Sequence, residues 1–162
     1  MSELKKCGNC LLPETYETLV IDEGGKGCNM CRTSEFKKTN IDWDKRKLML
    51  DNVIEKYRGK YDYDCIIPFS GGKDSTFTLY YLMKEYKIKP LVVRFNHGFM
   101  RSHHEQNTTT VLKKLGADFI DFTPNWKIVK KLMWEAFSRK TDFCWHCHTG
   151  IYSYPLQVAL RY

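Results

Sequence analysis

Six of the seven cysteines fall into three Cys-x-x-Cys pairs: Cys7/Cys10, Cys28/Cys31 and Cys144/Cys147. Cys65 stands apart. The first two pairs are separated by 17 residues. Four thiolates at this spacing are expected to form two facing knuckles around a tetrahedral zinc ion. The intervening segment is rich in glycine and poor in apolar residues, so a metal would supply stability that a small core cannot. A four-thiolate site has no open coordination position, which predicts a structural role.

The second constellation is Ser70-Gly71-Gly72-Lys73-Asp74-Ser75, set between an apolar run and a helical pattern. Both glycines are free to take positive φ and let a ligand approach the backbone. The following helix offers free N–H groups and the positive end of its dipole, so the corner suits a phosphate. It differs from the G-x-x-x-x-G-K-[ST] loop, because its glycines are adjacent and an Asp follows the Lys. Ser, Lys, Asp and Ser crowd phosphate and metal ligands into one short loop, more than an ordinary strand–turn–helix corner needs.

The third is Cys144-Trp-His146-Cys147-His148. Literally read, C-x-x-C-H is a haem attachment signature. That chemistry belongs outside the cytosol, and the N-terminus has no apolar stretch behind its basic residues. An iron–sulfur cluster wants further thiolates. The only spare, Cys65, lies five residues before Ser70, about 16 Å away along an extended strand. Three readings stay open: a second metal site completed by His or by residues outside this chain, a redox or catalytic sulfur, and a structural pair. No residue stands out as a general base, and His97 and His146 are the nominees.

These groups need elements to position them. Residues 7–31 read as loops and short strands around one β-like run, Thr18–Ile21. A helix capped by Asn40 or Asp42 is expected over 43–58, with Leu50, Val53, Ile54 and Tyr57 on one apolar face. From Asp64 the pattern alternates. Strands are expected at Cys65–Phe69, Leu91–Phe95 and Phe119–Phe122. Helices are expected at Thr76–Tyr86, Glu105–Leu115 and Trp126–Phe137. The last of these should bury Ile128, Val129, Leu132, Met133 and Ala136. Val158–Tyr162 reads as part of another helix. The alternation predicts an α/β fold, a partial doubly wound parallel sheet. Three domains follow: a four-Cys module over 1–40, a linker helix over 41–62, and the α/β domain over 63–162. Ligands of such sheets bind at a switch point flanked by strands on both sides. Only three strands are legible, so the pattern is that of the front half of a larger domain, stopping before a fourth strand.

The 162 residues are 43% hydrophobic and 28% charged, which excludes a disordered chain. No apolar run approaches a membrane span, and the expected compartment is the cytoplasm. There are 12 basic against 11 acidic residues over 1–62, and 14 against 8 over 63–162. The second part should therefore attract an anionic ligand.

The Ser70–Ser75 string, placed after a strand and before a helix, resembles that of the PP-loop ATP pyrophosphatases, of the adenine nucleotide alpha hydrolase-like type. The resemblance implies that the backbone amides at Gly71–Ser75 and the Ser70 and Ser75 hydroxyls hold the pyrophosphate portion of ATP. Lys73 would neutralise charge and Asp74 would help place Mg²⁺, so that Ser70, Lys73 and Asp74 form the catalytic set. It further implies that Arg94, Phe95, Asn96, His97 and Gly98, at the end of the second strand, lie against adenine and ribose.

Over nearly the whole chain, the order of motifs is similar to the N-acetyl sugar amidotransferase family of bacterial surface-glycan and lipopolysaccharide biosynthesis. Tyr63-Asp64-Cys65 leading into the loop, and Cys144-Trp-His-Cys-His148, carry that resemblance most specifically. The chain is well under half the usual length for that family. The resemblance implies adenylation of the acetamido carbonyl of a nucleotide- or lipid-linked sugar. Ammonia from a glutaminase subunit would then replace its oxygen, giving an acetamidino sugar. Two alternatives accompany this reading. One is a tRNA thiolation enzyme, since some of those pair zinc knuckles with a PP-loop and a later C-x-x-C. The other is a nucleotide-binding half-domain without turnover. An incomplete sheet further predicts self-association or pairing with a C-terminal complement.

Overall fold

The computed structural model describes residues 4–162. The chain divides into two compact units, Met1–Asn52 and Val53–Tyr162.

In the first unit, isolated antiparallel bridges join Lys6 to Pro13 and Ile21 to Cys28. Of the β-like run expected over Thr18–Ile21, Ile21 alone makes a bridge. Helix α1 (Asn29–Thr39) was not expected. Cys28 precedes it in extended conformation, and Lys37 and Lys38 close its last turn, where cations suit the dipole. The Asn29 side chain accepts from the Val20 amide at 3.0 Å and donates to the Thr18 carbonyl at 2.8 Å. Side-chain bonding of this kind holds the preceding loop without a ladder. Helix α2 (Trp43–Tyr57) runs across the boundary between the units. Asp42 caps it, accepting from the Lys45 amide at 2.9 Å. Its expected apolar face is not buried: α2 contains no buried residue, and Leu50, Val53 and Tyr57 are all exposed.

The second unit is built on three parallel strands, β1 (Cys65–Pro68), β2 (Pro90–Phe95) and β3 (Asp118–Phe122), in the order β1-β2-β3. Helix α3 (Lys73–Lys84) joins the first two, and α4 (Ser102–Leu115) joins the second and third. Both helices start about three residues earlier than their apolar periods suggest, because polar loop residues supply their first turns.

Residues of β2 alternate between two cores, as the pleat requires. Val92 packs with Ile67, Phe69, Leu79 and Leu112, on the α3–α4 side. Leu91 and Val93 pack with Val158 and Tyr154 of α6 (Trp145–Ala159). Helix α5 (Trp126–Lys140) begins at Asn125, whose side chain accepts from the Lys127 amide at 2.9 Å. It buries Val129 and Ala136, whereas Ile128 and Leu132 are exposed, contrary to expectation. The last helix is far longer than Val158–Tyr162. It runs unbroken through the buried Pro155 and includes Cys147. Among the described residues, no helix is long and apolar enough to cross a membrane.

The Tyr63-Asp64-Cys65 string is tied at the N-terminal ends of the strands. Asp64 accepts from the amides of Gly59 and Lys89, each at 2.7 Å, and these two bonds hold its carboxyl below the usual range. Tyr63 donates to Asp118 at 2.9 Å, bracing β1 against β3 across the sheet. Burial pushes the Cys65 thiol up to about 11, so it stays protonated and unreactive.

Candidate functional site

The sulfurs of Cys7, Cys10, Cys28 and Cys31 lie within 4.8 Å of one another. Cys7–Cys31 is 3.8 Å, Cys10–Cys28 is 3.6 Å and Cys28–Cys31 is 3.7 Å. A tetrahedral centre with metal–sulfur bonds of about 2.3 Å sets its sulfurs about 3.8 Å apart. The four cysteines are therefore a cluster that could hold a metal ion. The first pair sits on a tight turn, with the Leu11 amide donating to the Cys7 carbonyl at 2.9 Å and Leu11 at φ +62°. The second pair opens α1 and does not form a second loop knuckle. A helix N-terminus favours thiolate, so this arrangement performs the same task by another route. The Cys10 amide draws the Cys7 thiol down to about 7. The Leu12 amide lowers Cys10 too, but burial and the neighbouring thiols outweigh it and push Cys10 up to about 12. Without a cation, the cluster cannot hold four negative charges together.

Among the described residues of the first unit, Cys7 and Cys28 alone are buried. The four-cysteine cluster therefore occupies the place of a hydrophobic core.

In the second unit, a cavity of about 500 Å³ opens at the C-terminal ends of β1 and β2. Its floor carries Ser70, Gly72 and Ser75. Pro68, Phe69, Val93, Phe95, Met100, Ile151 and Pro155 give it apolar walls, and Arg94, Asn96, His97, His104, Cys147 and His148 complete it. This is the carboxyl end of a parallel sheet, where such folds bind ligands.

The loop leads directly into α3. The Gly72 amide donates to Ser70 Oγ at 3.3 Å, Ser70 and Ser75 Oγ are 3.1 Å apart, and Ser75 Oγ donates to the Gly72 carbonyl at 3.1 Å. Gly72 takes the N-cap position without a side-chain cap, so the first-turn amides have no intrahelical acceptor. Lys73 and Asp74 point outward, 91% and 89% exposed, with Lys73 Nζ 3.1 Å from Asp74 Oδ1. Only Gly71 takes positive φ, at +76°, while Gly72 has φ −75°. The expectation that both glycines use left-handed conformations is corrected to one. A Cβ on Gly71 would overlap the Thr108 hydroxyl and lie 2.7 Å from His104 Nε2.

No family model matches the chain. It is similar to an uncharacterized protein of Methanocaldococcus jannaschii, with 28% identity over 145 residues. The matched stretch is 88% of this chain and 50% of that protein. The chain thus spans about half the length of the curated relative it matches.

The residues expected at the end of β2 divide. Arg94, Phe95, Asn96 and His97 line the cavity, and Gly98 is not among the lining residues. The Asn96 side chain accepts from the Gly98 amide at 2.9 Å, and His97 Nδ1 accepts from the Phe99 amide at 3.1 Å. Gly98 has φ +84° and lies against Trp126. Burial, with the charges of His146 and Arg94, holds His97 below its ordinary value. Because Nδ1 accepts from the Phe99 amide, its lone pair is already engaged and is not free for a general base. His146 is 7% exposed and its Nδ1 faces the Phe143 carbonyl at 3.1 Å; its Nε2 has no hydrogen-bond partner among the described residues. The guanidinium of Arg94, at the cavity wall, is held by two carboxylates. It binds Asp121 and, at 2.8 Å, Glu105.

The Cys144/Cys147 pair separates. Cys147 lines the cavity, whereas Cys144 is exposed at the start of α6. Burial raises the Cys147 thiol, with Cys144 adding to it. Among the described residues, the Cys7/Cys10/Cys28/Cys31 group alone brings three or more metal-ligating side chains together.

Sequence reasoning missed His104 and Ile151, and named His148 in the C-x-x-C-H string without placing it near the loop; the three reach the cavity from α4 and α6. The one available signal was Gly150, where a Cβ would collide with the Phe95 ring. This glycine lets α6 lie flat on that ring. Gly150→Ala is expected to lower stability by about 1–3 kcal/mol, by displacing the ring or the helix. Thermal unfolding monitored through the Phe95–Phe122 environment checks this, and an unchanged midpoint would show that Phe95 packs elsewhere.

Proposed function

We propose that the second unit is the ATP-binding half of a PP-loop ATP pyrophosphatase. The reaction is the adenylation of an acetamido sugar, followed by replacement of the carbonyl oxygen by ammonia. The observation that carries this reading is the Ser70–Ser75 loop. It stands at the carboxyl end of β1, opens α3 at its free amides, and floors a cavity with apolar walls. Triphosphate would lie on the loop amides and on Ser70 and Ser75. The base would lie against the Phe95–His97 edge. Asp74 would hold Mg²⁺, which neutralises phosphate charge, and Lys73 would add a second cation near the departing pyrophosphate. We assign zinc to the four-cysteine cluster, since thiolate donors in a closed tetrahedral set favour it.

The chemistry has a physical rationale. An amide oxygen is a poor leaving group. Its attack on the α-phosphorus of ATP breaks the bond to pyrophosphate and attaches AMP. Ammonia then adds to the activated carbon, AMP leaves with the original oxygen, and one proton is lost to give the acetamidine. Ammonia must arrive unprotonated, which favours direct delivery by a glutaminase partner. A second reading, tRNA thiolation, is favoured by Cys147 in the cavity wall. Its raised thiol pKa counts against a resting thiolate there.

The test is ATP–pyrophosphate exchange with acetamido sugar nucleotides and glutaminase, and separately with tRNA. Sugar-dependent exchange supports the first reading, and tRNA-dependent exchange supports the second. ATP binding without either describes a half-domain lacking turnover. Asp74→Asn and Ser70→Ala are each expected to reduce pyrophosphate release by at least 100-fold with the fold unchanged. Wild-type release in both variants would overturn the site assignment.

A further inference from the structure

We propose that His104 is the positioning residue of the phosphate loop, held over it from α4 by the pairing of Glu105 with the buried Arg94. The inference rests on reading Ser70–Ser75 as a phosphate loop. The side chains of Lys73 and Asp74 are almost fully exposed, so they do not fix the loop's shape. The fixing contacts come from α4. His104 Nε2 lies 2.9 Å from the Ser70 carbonyl. A carbonyl only accepts, so the ring donates its Nε2 proton. Thr108, one turn on and 2% exposed, lies on the same face of α4, and its hydroxyl sits against the Gly71 backbone. Together the two side chains cover the left-handed residue at which the loop turns toward α3.

What holds α4 there is Arg94, which is 5% exposed. Its Nη2 donates to Glu105 Oε2 at 2.8 Å and its Nε donates to Asp121 Oδ1 at 3.0 Å. Glu105 follows His104 directly, in the first turn of α4. Lifting that turn would leave a buried guanidinium with half its partners, which is unfavourable. The pair thus fixes the height of His104 above Ser70. Residues 96–101, which lead from β2 into α4, also contribute Asn96, His97 and Met100 to the cavity. The base side and the phosphate side of the cavity are therefore joined through α4.

The test uses the full chain in its metal-loaded form. Two quantities are read: amide hydrogen exchange at Gly71–Ser75 without ligand, and calorimetric binding of inorganic pyrophosphate with Mg²⁺. In His104→Ala, exchange across the loop is expected to rise at least tenfold and pyrophosphate affinity to fall at least tenfold, with adenosine affinity unchanged. His104→Gln, whose amide can donate from a similar position, is expected to recover most of both. Glu105→Gln is expected to give an intermediate exchange rate in the same residues. Wild-type exchange in His104→Ala, or no recovery in His104→Gln, overturns the inference. If the wild-type chain binds no pyrophosphate, the functional reading fails, and the exchange rates still decide whether His104 holds the loop.

Discussion

Gly71→Ala is expected to weaken pyrophosphate and ATP binding about 100-fold or more, equivalent to ~2.7 kcal/mol. Two effects act together. The residue sits at φ +76°, where a Cβ costs about 1 kcal/mol or more. The new methyl would also overlap Thr108 and crowd His104. Neither neighbour can retreat cheaply, because Thr108 is buried and His104 bonds the adjacent carbonyl. The backbone must shift instead, carrying the loop amides out of line. Gly72→Ala is the control. Its φ is ordinary and its Cβ would meet only Ser70 Oγ, at 3.4 Å, so the loss should stay within a few-fold. Isothermal titration of both variants separates the cases. Equal affinities would mean that the loop is not held as described.

The second large effect concerns the four-cysteine cluster. Cys7→Ser, or treatment with a strong chelator, is expected to remove one metal ion per chain and unfold the first unit. Structural zinc supplies about 10–16 kcal/mol in small modules. Here it has little competition, since Cys7 and Cys28 are the only buried residues among those described in that unit. Amide dispersion for residues 4–40 should collapse in the NMR spectrum, while Val92 and Val93, in the sheet, keep their shifts. Cys65→Ser and Cys144→Ser should leave the metal content unchanged. A Cys7→Ser protein with full metal content, or with an intact first unit and no metal, would refute the assignment.

The parts legible in the sequence were those governed by local rules. The three strands, the glycine loop and the four thiols were each marked by period or spacing, and within its own unit each forms where those signals suggest. The errors also have local causes. Helix α6 was legible only at its end, from Val158, because it carries no charged residue to mark a polar face and because Pro155 imitates a stop. Helix α1 was hidden by a segment whose lysines and threonines give no apolar stripe. Arg94 was expected at the nucleotide edge from the family resemblance; it lines the cavity, but its pairing with two carboxylates had no signal in the sequence. Which way a strand residue faces is set by the pleat, and here that directs it to Asp121 and Glu105. His104, Cys147 and His148 could not be grouped from spacing, since α4 and α6 meet the loop only through the tertiary fold.

The order of elements has a consequence for synthesis. The α3–α4 side of the sheet is assembled from neighbours in sequence, so that core can close while the chain is still being made. The opposite side waits. Leu91 and Val93 are covered by Val158 and Tyr154, more than sixty residues later in the chain. At translation speeds of about 5–20 residues per second, those strand residues stay bare for several seconds. A nascent chain paused before Trp145 therefore presents an apolar sheet face to the cytosol or test tube in which it is made. That is the stage at which a chaperone would engage it, and at which slow codons or a chilled expression culture would turn yield into aggregate.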